Sequence, residues 1–151
     1  MFSGTYYHRV DEKGRIALPA KFRVEFAQGV FLVPSVDKCL YIYPLPLWEK
    51  ISPGFTPRPF DGSKMRRLGR FFFGGSSKTE LDTHGRIPLP QDQRQKLNIK
   101  EDVVIVGVNE YLEIWDKETW EKEENELSQE TPQLLESAEH EGWQKKEGLE
   151  S

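Results

Sequence analysis

The sequence predicts an α+β fold, mainly β, in which one small unit is written twice and the two copies share a core. The nine-residue signature Asp-x-x-Gly-Arg-Ile-x-Leu-Pro occurs at 11–19 and again at 82–90, an offset of 71 residues that Arg23 and Arg94 also keep. Further on, Cys39-Leu40-Tyr41-Ile42-Tyr43 with Trp48-Glu49-Lys50 recurs as Tyr111-Leu112-Glu113-Ile114-Trp115 with Trp120-Glu121-Lys122, one residue out of that frame. The repeat therefore spans a whole folding unit. Short alternating apolar runs broken by turn residues supply the β character. A copy of about 45 residues is near the size at which a lone unit struggles to bury enough apolar surface, which is why a shared core is expected.

Taken in order, Tyr6 to Val10 reads as a strand, Asp11-Glu12-Lys13-Gly14 as a turn, and Arg15 to Leu18 as the returning strand. Asp opens such a turn because its carboxylate accepts backbone N–H groups, and Gly closes it because it tolerates positive φ. Pro19 suits the first turn of a short helix, Ala20 to Phe26, with Phe22 and Phe26 on one side. Val30 to Val33 and Leu40 to Tyr43 are two more strands around a turn at Ser35-Val36-Asp37-Lys38. Pro53 to Phe60 is too proline-rich for regular structure, and a helix follows from Ser63 to about Phe72. That helix carries Met65, Leu68 and Phe71 or Phe72 on one side and Lys64, Arg66, Arg67 and Arg70 elsewhere. The second copy repeats the plan with strands at Ser77 to Leu81, Arg86 to Leu89, Val103 to Val108 and Tyr111 to Trp115, and a short helix at Gln91 to Leu97. Asp116 is placed to cap a final helix from Lys117, interrupted at Thr131-Pro132 and resumed through Leu134, Leu135 and Ala138, with the last ten residues frayed. Trp48 and Trp120 follow the last strand of each copy as core anchors.

Net charge is −4, but it is unevenly placed. Residues 116–151 hold 12 acidic side chains against four lysines, whereas residues 1–115 hold 17 basic against 13 acidic. The repeats are thus mildly basic and compatible with a polyanion partner, while the C-terminal segment carries the acidity. No apolar run approaches a membrane span and no signal-peptide pattern opens the chain, so a cytoplasmic protein without membrane attachment is expected. The single cysteine, Cys39, excludes an intramolecular disulfide and reads as a small hydrophobe at the start of a buried strand. His8, His84 and His140 have no paired ligand spacing, so no metal is expected. Gly74-Gly75-Ser76-Ser77-Lys78-Thr79 lacks the glycines of a phosphate loop, and no Gly-x-Ser-x-Gly elbow exists. Neither an enzyme nor a cofactor is expected.

Arg15 and Arg86 carry the functional signal, and two readings stand. Each Arg can pair with the Asp of its own turn, Asp11 or Asp82, and steady a hairpin. Alternatively, a guanidinium on a rigid turn can donate twice to guanine O6 and N7 or clamp a phosphate. Repetition of the arginine just past a tight turn, with Lys13 and Arg9 near the first and His84 near the second, favours DNA contact, and both roles are compatible. Gly14 and Gly85, with the two aspartates, are the supports of the turns. The basic residues of the linker helix read more simply as its solvated face.

The doubled signature, the opening Met1-Phe2-Ser3-Gly4, the Leu45-Pro46-Leu47-Trp48 stretch and Arg70-Phe71-Phe72-Phe73-Gly74 ahead of the second copy together resemble the MraZ proteins, in order over most of residues 1–122. The resemblance implies two tandem AbrB-like (SpoVT-AbrB) swapped-hairpin modules interlocked as a β-barrel, with flanking helices and a C-terminal helix. The modules fall at 5–48 and 76–119, with a linker and helix at 49–75 and an acidic helical tail at 120–151. It further implies a bacterial transcriptional regulator, usually a repressor, of the division and cell-wall gene cluster that includes its own promoter. Such a protein forms a ring-like homo-oligomer, associates with the nucleoid and meets double-stranded DNA, here as promoter direct repeats, through Arg15 and Arg86 with Lys13 and His84 as neighbours. Thr83 and His84 replace Glu12 and Lys13 at the second turn, which makes that loop less basic. Two other classes fit less well: an AbrB-like antitoxin whose acidic tail neutralises a toxin, and a non-DNA barrel that docks proteins.

Overall fold

A computed structural model describes residues 1–140; the fraying expected at the last ten residues lies outside them. The fold is mixed α+β with antiparallel strands. Strands β1 (Thr5–Arg9), β2 (Arg15–Ala17), β3 (Val30–Pro34) and β4 (Cys39–Pro44) belong to the first copy, followed by α1 (Leu45–Ile51) and α2 (Ser63–Gly74). The second copy supplies β5 (Ser77–Thr79), β6 (Arg86–Pro88), α3 (Gln91–Lys96), β7 (Asp102–Val108) and β8 (Tyr111–Asp116), and α4 (Lys117–His140) ends the described chain. Met1–Lys117 form one compact unit and the described residues from Glu118 belong to a second.

The strands flanking each signature turn do not pair with each other, contrary to the hairpin that the sequence suggests. β1 pairs with β7 of the other copy, with Tyr6 opposite Ile105, and β5 reciprocally pairs with β3, with Phe31 opposite Lys78. β2 and β6 pair together, with Ile16 opposite Ile87. The six-stranded sheet runs β1-β7-β8-β4-β3-β5, and β2-β6 is a separate ribbon. Among the described residues no ladder joins β1 to β5, so the expected hydrogen-bonded closed barrel is not formed. The ribbon instead contributes Ile16, Leu18, Ile87 and Leu89 to the same apolar cluster as Val30, Ile42, Ile105 and Ile114 of the sheet. Strand exchange and shared core leave neither copy with a complete interior of its own, as the small size of each unit requires.

Other local differences have simple causes. Ala20–Phe26 is a 3-10 helix, and its Phe22 and Phe26 are both buried against Phe2, one edge to face and one stacked. Phe2 is held there by an isolated bridge to Asn109, and Gly107 lets the chain pass: a Cβ would meet the Ser3 backbone nitrogen at 2.5 Å. On α2, Gly69 lies against Pro57 and Phe72 against Phe55, whereas Leu68 and Phe71 are exposed. Helix α4 runs through Pro132 without the expected interruption. Proline removes one backbone donor there, and the Thr131 hydroxyl donates to the Leu127 carbonyl one turn earlier. Trp48 and Trp120 are both buried, Trp48 against Phe31, Tyr43 and Phe73, outside the central apolar cluster.

Candidate nucleic-acid interface

Antiparallel register decides where the two signature arginines point. In β2 Arg15 and Ala17 share one face and Ile16 takes the other. Ala17 lies opposite Arg86 and Ile16 opposite Ile87, so both guanidiniums emerge on one face while both isoleucines are fully buried on the other. The ribbon thus has a greasy side that fixes it to the core and a charged side turned outward.

Each turn is built the same way. Asp11 Oδ1 accepts from the backbone N–H of Lys13 and of Arg15, both at 2.9 Å, and Oδ2 accepts from Arg15 Nε at 2.9 Å. Asp82 repeats this with the N–H groups of His84 and Arg86 at 2.9 Å and Arg86 Nε at 2.8 Å. Gly14 and Gly85 close the turns at φ of 75° and 72°, the left-handed region that disfavours a Cβ. The turns also bind the copies together: Leu18 N–H donates to the Gly85 carbonyl and Leu89 N–H to the Gly14 carbonyl, each at 2.9 Å. Across the pseudo-two-fold, Arg15 Nη1 is 4.0 Å from Asp82 and Arg86 Nη1 is 3.9 Å from Asp11. The four side chains form one alternating charge quartet, about a third exposed at each member.

These contacts hold the aspartates ionised. The Arg86 backbone N–H above all, then its side chain and the His84 N–H, keep the Asp82 carboxyl down at about 2 against opposing desolvation. Asp11 is lowered by the equivalent contacts, the Arg15 backbone N–H first. Each Asp engages Nε, and among the described residues the Nη groups have only the long contact to the opposite carboxylate. A guanidinium carries five N–H donors, so the outer edge can still form a bidentate bond.

The remaining expected residues are placed differently. Lys13 and His84 are exposed at the turns; Thr83 Oγ1 lies 3.3 Å from His84 Nδ1. Arg9 is turned to the start of β7, where Glu101 just before the strand accepts at 2.6 Å and Asp102 lies 3.5 Å away, so its charge is matched before any ligand arrives. Cys39 is buried beside the Ser35 hydroxyl, and burial pushes its thiol up, away from nucleophilic chemistry. Among the described residues no group of three or more His, Cys, Asp or Glu is arranged to hold a metal ion, and no helix is long and apolar enough to cross a membrane.

Two further arginines belong to the site. Arg23 Nε donates to the Leu18 carbonyl at 3.0 Å and Arg94 Nε to the Leu89 carbonyl at 3.1 Å. Each then reaches across to the other copy's turn: a Cβ at Gly85 would collide with Arg23, and one at Gly14 would come 2.8 Å from Arg94 Nη2. Among the described residues neither has a carboxylate within ion-pair distance, so they, with Lys13, supply the uncompensated positive charge around a neutral quartet. Sequence spacing marked both as repeat positions, eight residues past each signature arginine, but gave no hint that they cross between copies.

Comparison with known proteins agrees with this doubled organisation. A family model described as "MraZ protein, putative antitoxin-like" matches twice, over residues 1–71 and 72–139. A protein of Dehalococcoides mccartyi named transcriptional regulator MraZ is 39% identical over 140 residues, covering 92% of this chain and 99% of the relative. Relatives of the same name from Herpetosiphon aurantiacus and Acetivibrio thermocellus are each 40% identical, over 136 and 121 residues. They are covered over 95% and 85% of their own lengths, and cover 90% and 80% of this chain.

Proposed function

The chain belongs to the MraZ family, and from that premise we propose that it is a sequence-specific DNA-binding regulator of transcription, a repressor of the bacterial division and cell-wall gene cluster and of its own promoter. The observation that carries this is the shared outward face of Arg15 and Arg86 on a two-stranded ribbon, each guanidinium already oriented by an aspartate. The major groove admits such a ribbon, and a bidentate Arg reads guanine O6 and N7. Arg23, Arg94 and Lys13 add phosphate attraction, and His84 lies at the rim. The reciprocal strand exchange supports reading the two copies as interlocked swapped-hairpin modules, with boundaries at 5–48 and 76–119.

The protein acts in the cytoplasm at the nucleoid as a ring-like homo-oligomer. Neighbours in a ring are related by rotation about one axis and present their ribbons in the same sense, so the operator is a set of direct repeats. Arg15→Ala and Arg86→Ala test the reading. Each should weaken specific binding to promoter DNA by about 1–3 kcal/mol, the range for loss of a bidentate base pairing, with the fold intact by circular dichroism. Wild-type affinity in both variants would leave the arginines as turn supports only. The family description also names antitoxin-like proteins; an adjacent toxin gene whose product the acidic segment neutralises would favour that second reading.

A further inference from the structure

Helix α4 and the surface around α2 present complementary unsatisfied faces. Past Trp120 no described residue of α4 is buried. Yet Leu127, Thr131, Leu134 and Ala138 are spaced four, three and four, one stripe of a helix, with Leu135 beside them. Leu127, Leu134 and Leu135 are 36%, 50% and 52% exposed. A stretch of about 20 residues draws little stability from propensity alone and depends on burying its apolar stripe. Glutamates dominate the rest of the helix: seven over residues 121–140, against Lys122.

On α2, Lys64, Arg67, Leu68 and Phe71 lie on one face and line a groove of about 700 Å³ with Ser35 and Val36 of the β3–β4 turn. A second hollow of about 470 Å³ continues it through Ser35 and Phe71 and adds Arg70 and Lys96, with Asp92 as its one lining carboxylate. Val36, Leu68 and Phe71 are 77%, 39% and 43% exposed, so the floor of a basic groove is apolar. Phosphate would be served by the cations but not by that floor. An acidic helix with a leucine stripe satisfies both.

We propose that α4 of one copy docks its Leu127–Leu134 stripe into the α2 groove of a neighbouring copy, with its glutamates against Lys64, Arg67 and Arg70. This rests on the oligomer reading above and names the contact that builds it. The repeated head-to-tail use of groove and helix is the kind of heterologous contact that closes into a ring.

Charge reversal of the full chain tests it. Lys64→Glu with Arg67→Glu, and separately Glu123→Lys with Glu130→Lys, should each lower the solution mass measured by light scattering after size exclusion, with helicity unchanged. Mixing the two double variants should restore assembly, since each groove then meets a helix of opposite charge on the other chain. Leu134→Ser should also lower the mass. A wild type larger than a dimer whose mass none of these changes alters overturns the docking and leaves the ring standing. Failure of the mixture to reassemble overturns docking between copies. Loss of DNA affinity at the groove variant with mass unchanged assigns the groove to phosphate instead. A wild type that is monomeric at micromolar concentration removes both readings.

Discussion

Replacing Gly85 by Ala isolates the cross-copy support of a signature turn. The residue sits at φ of 72°, where a side chain costs about 1–2 kcal/mol. Gly14 has nearly the same φ, 75°, so this cost is common to both turns. The difference lies in the neighbour. At Gly14 the new methyl would meet Arg94 Nη2, the free end of a flexible side chain, which can swing aside. At Gly85 it would run into Nε and Cδ of Arg23, the part of the side chain held by the Leu18 carbonyl. Arg23 must leave that position, forfeiting a hydrogen bond worth about 0.5–1.5 kcal/mol net. Gly85→Ala should therefore be less stable than Gly14→Ala by about 1 kcal/mol, read as a further Tm drop of about 2–4 °C for a chain of this size. In an Arg23→Ala background the excess should vanish, because the obstacle and its bond are already gone. Thermal unfolding of the four variants by circular dichroism decides it. Equal Tm for the two glycine variants, or an excess that survives removal of Arg23, would refute the cross-copy contact.

Acid should remove the stabilisation that the turns contribute. Both aspartates are depressed in the fold, so their stabilisation is complete above the unfolded carboxyl value of about 3.9 and is lost as pH falls toward the folded value, about 2 for Asp82. Asp82→Asn should flatten the stability profile in that window, measured by urea unfolding at a series of pH values; an unchanged profile would count against the quartet. Arg23→Ala and Arg94→Ala should weaken binding to all DNA sequences alike and reduce the salt slope by about 1 for each phosphate no longer neutralised, whereas a sequence-dependent effect would make them base readers. Inserting half a helical turn, about 5 base pairs, between operator repeats should abolish the high-affinity complex in a footprint, and indifference to the insertion would remove the ring-on-repeats arrangement.

Turn chemistry and duplication were legible because they are local. Asp11 and Gly14, at the two ends of one turn, suffice to specify a carboxylate cage closed at positive φ, and Asp82 and Gly85 repeat it. Strand boundaries also fell within a residue or two of the observed ones, the usual scatter. Strand partners were not legible. Nothing within Tyr6 to Leu18 says that β1 will pair with Val103 to Val106 and β2 with Ile87, because both choices bury the same alternating residues. Only the joint core, which needs Ile16 and Ile87 back to back, decides between them. Arg23 and Arg94 escaped for the same reason: each belongs by sequence to one copy and by contact to the other. Pro132 was misleading in the opposite way, since a helix whose surface is exposed there tolerates one missing backbone donor.

The two readings of Arg15 and Arg86, turn support and the proposed DNA contact, are compatible with one geometry. A long, freely rotating arginine loses side-chain entropy when it engages a base, about 2 kcal/mol if fully fixed. Here that ordering takes place during folding, since Asp11 and Asp82 hold Nε and the opposite carboxylates sit near Nη1. The aspartates do lower the local positive potential, which weakens non-specific attraction. Discrimination gains, because an arginine held in one orientation favours a base edge that matches it over a diffuse phosphate cloud. The charge neutralised at the quartet is restored at its margin by Arg23, Arg94 and Lys13, which have no carboxylate of their own within ion-pair distance among the described residues. On the proposed function, reading and attraction are thus divided between two sets of basic side chains. Strand exchange is what makes such a division possible, because both signature arginines lie on one ribbon and each flanking arginine reaches the opposite turn.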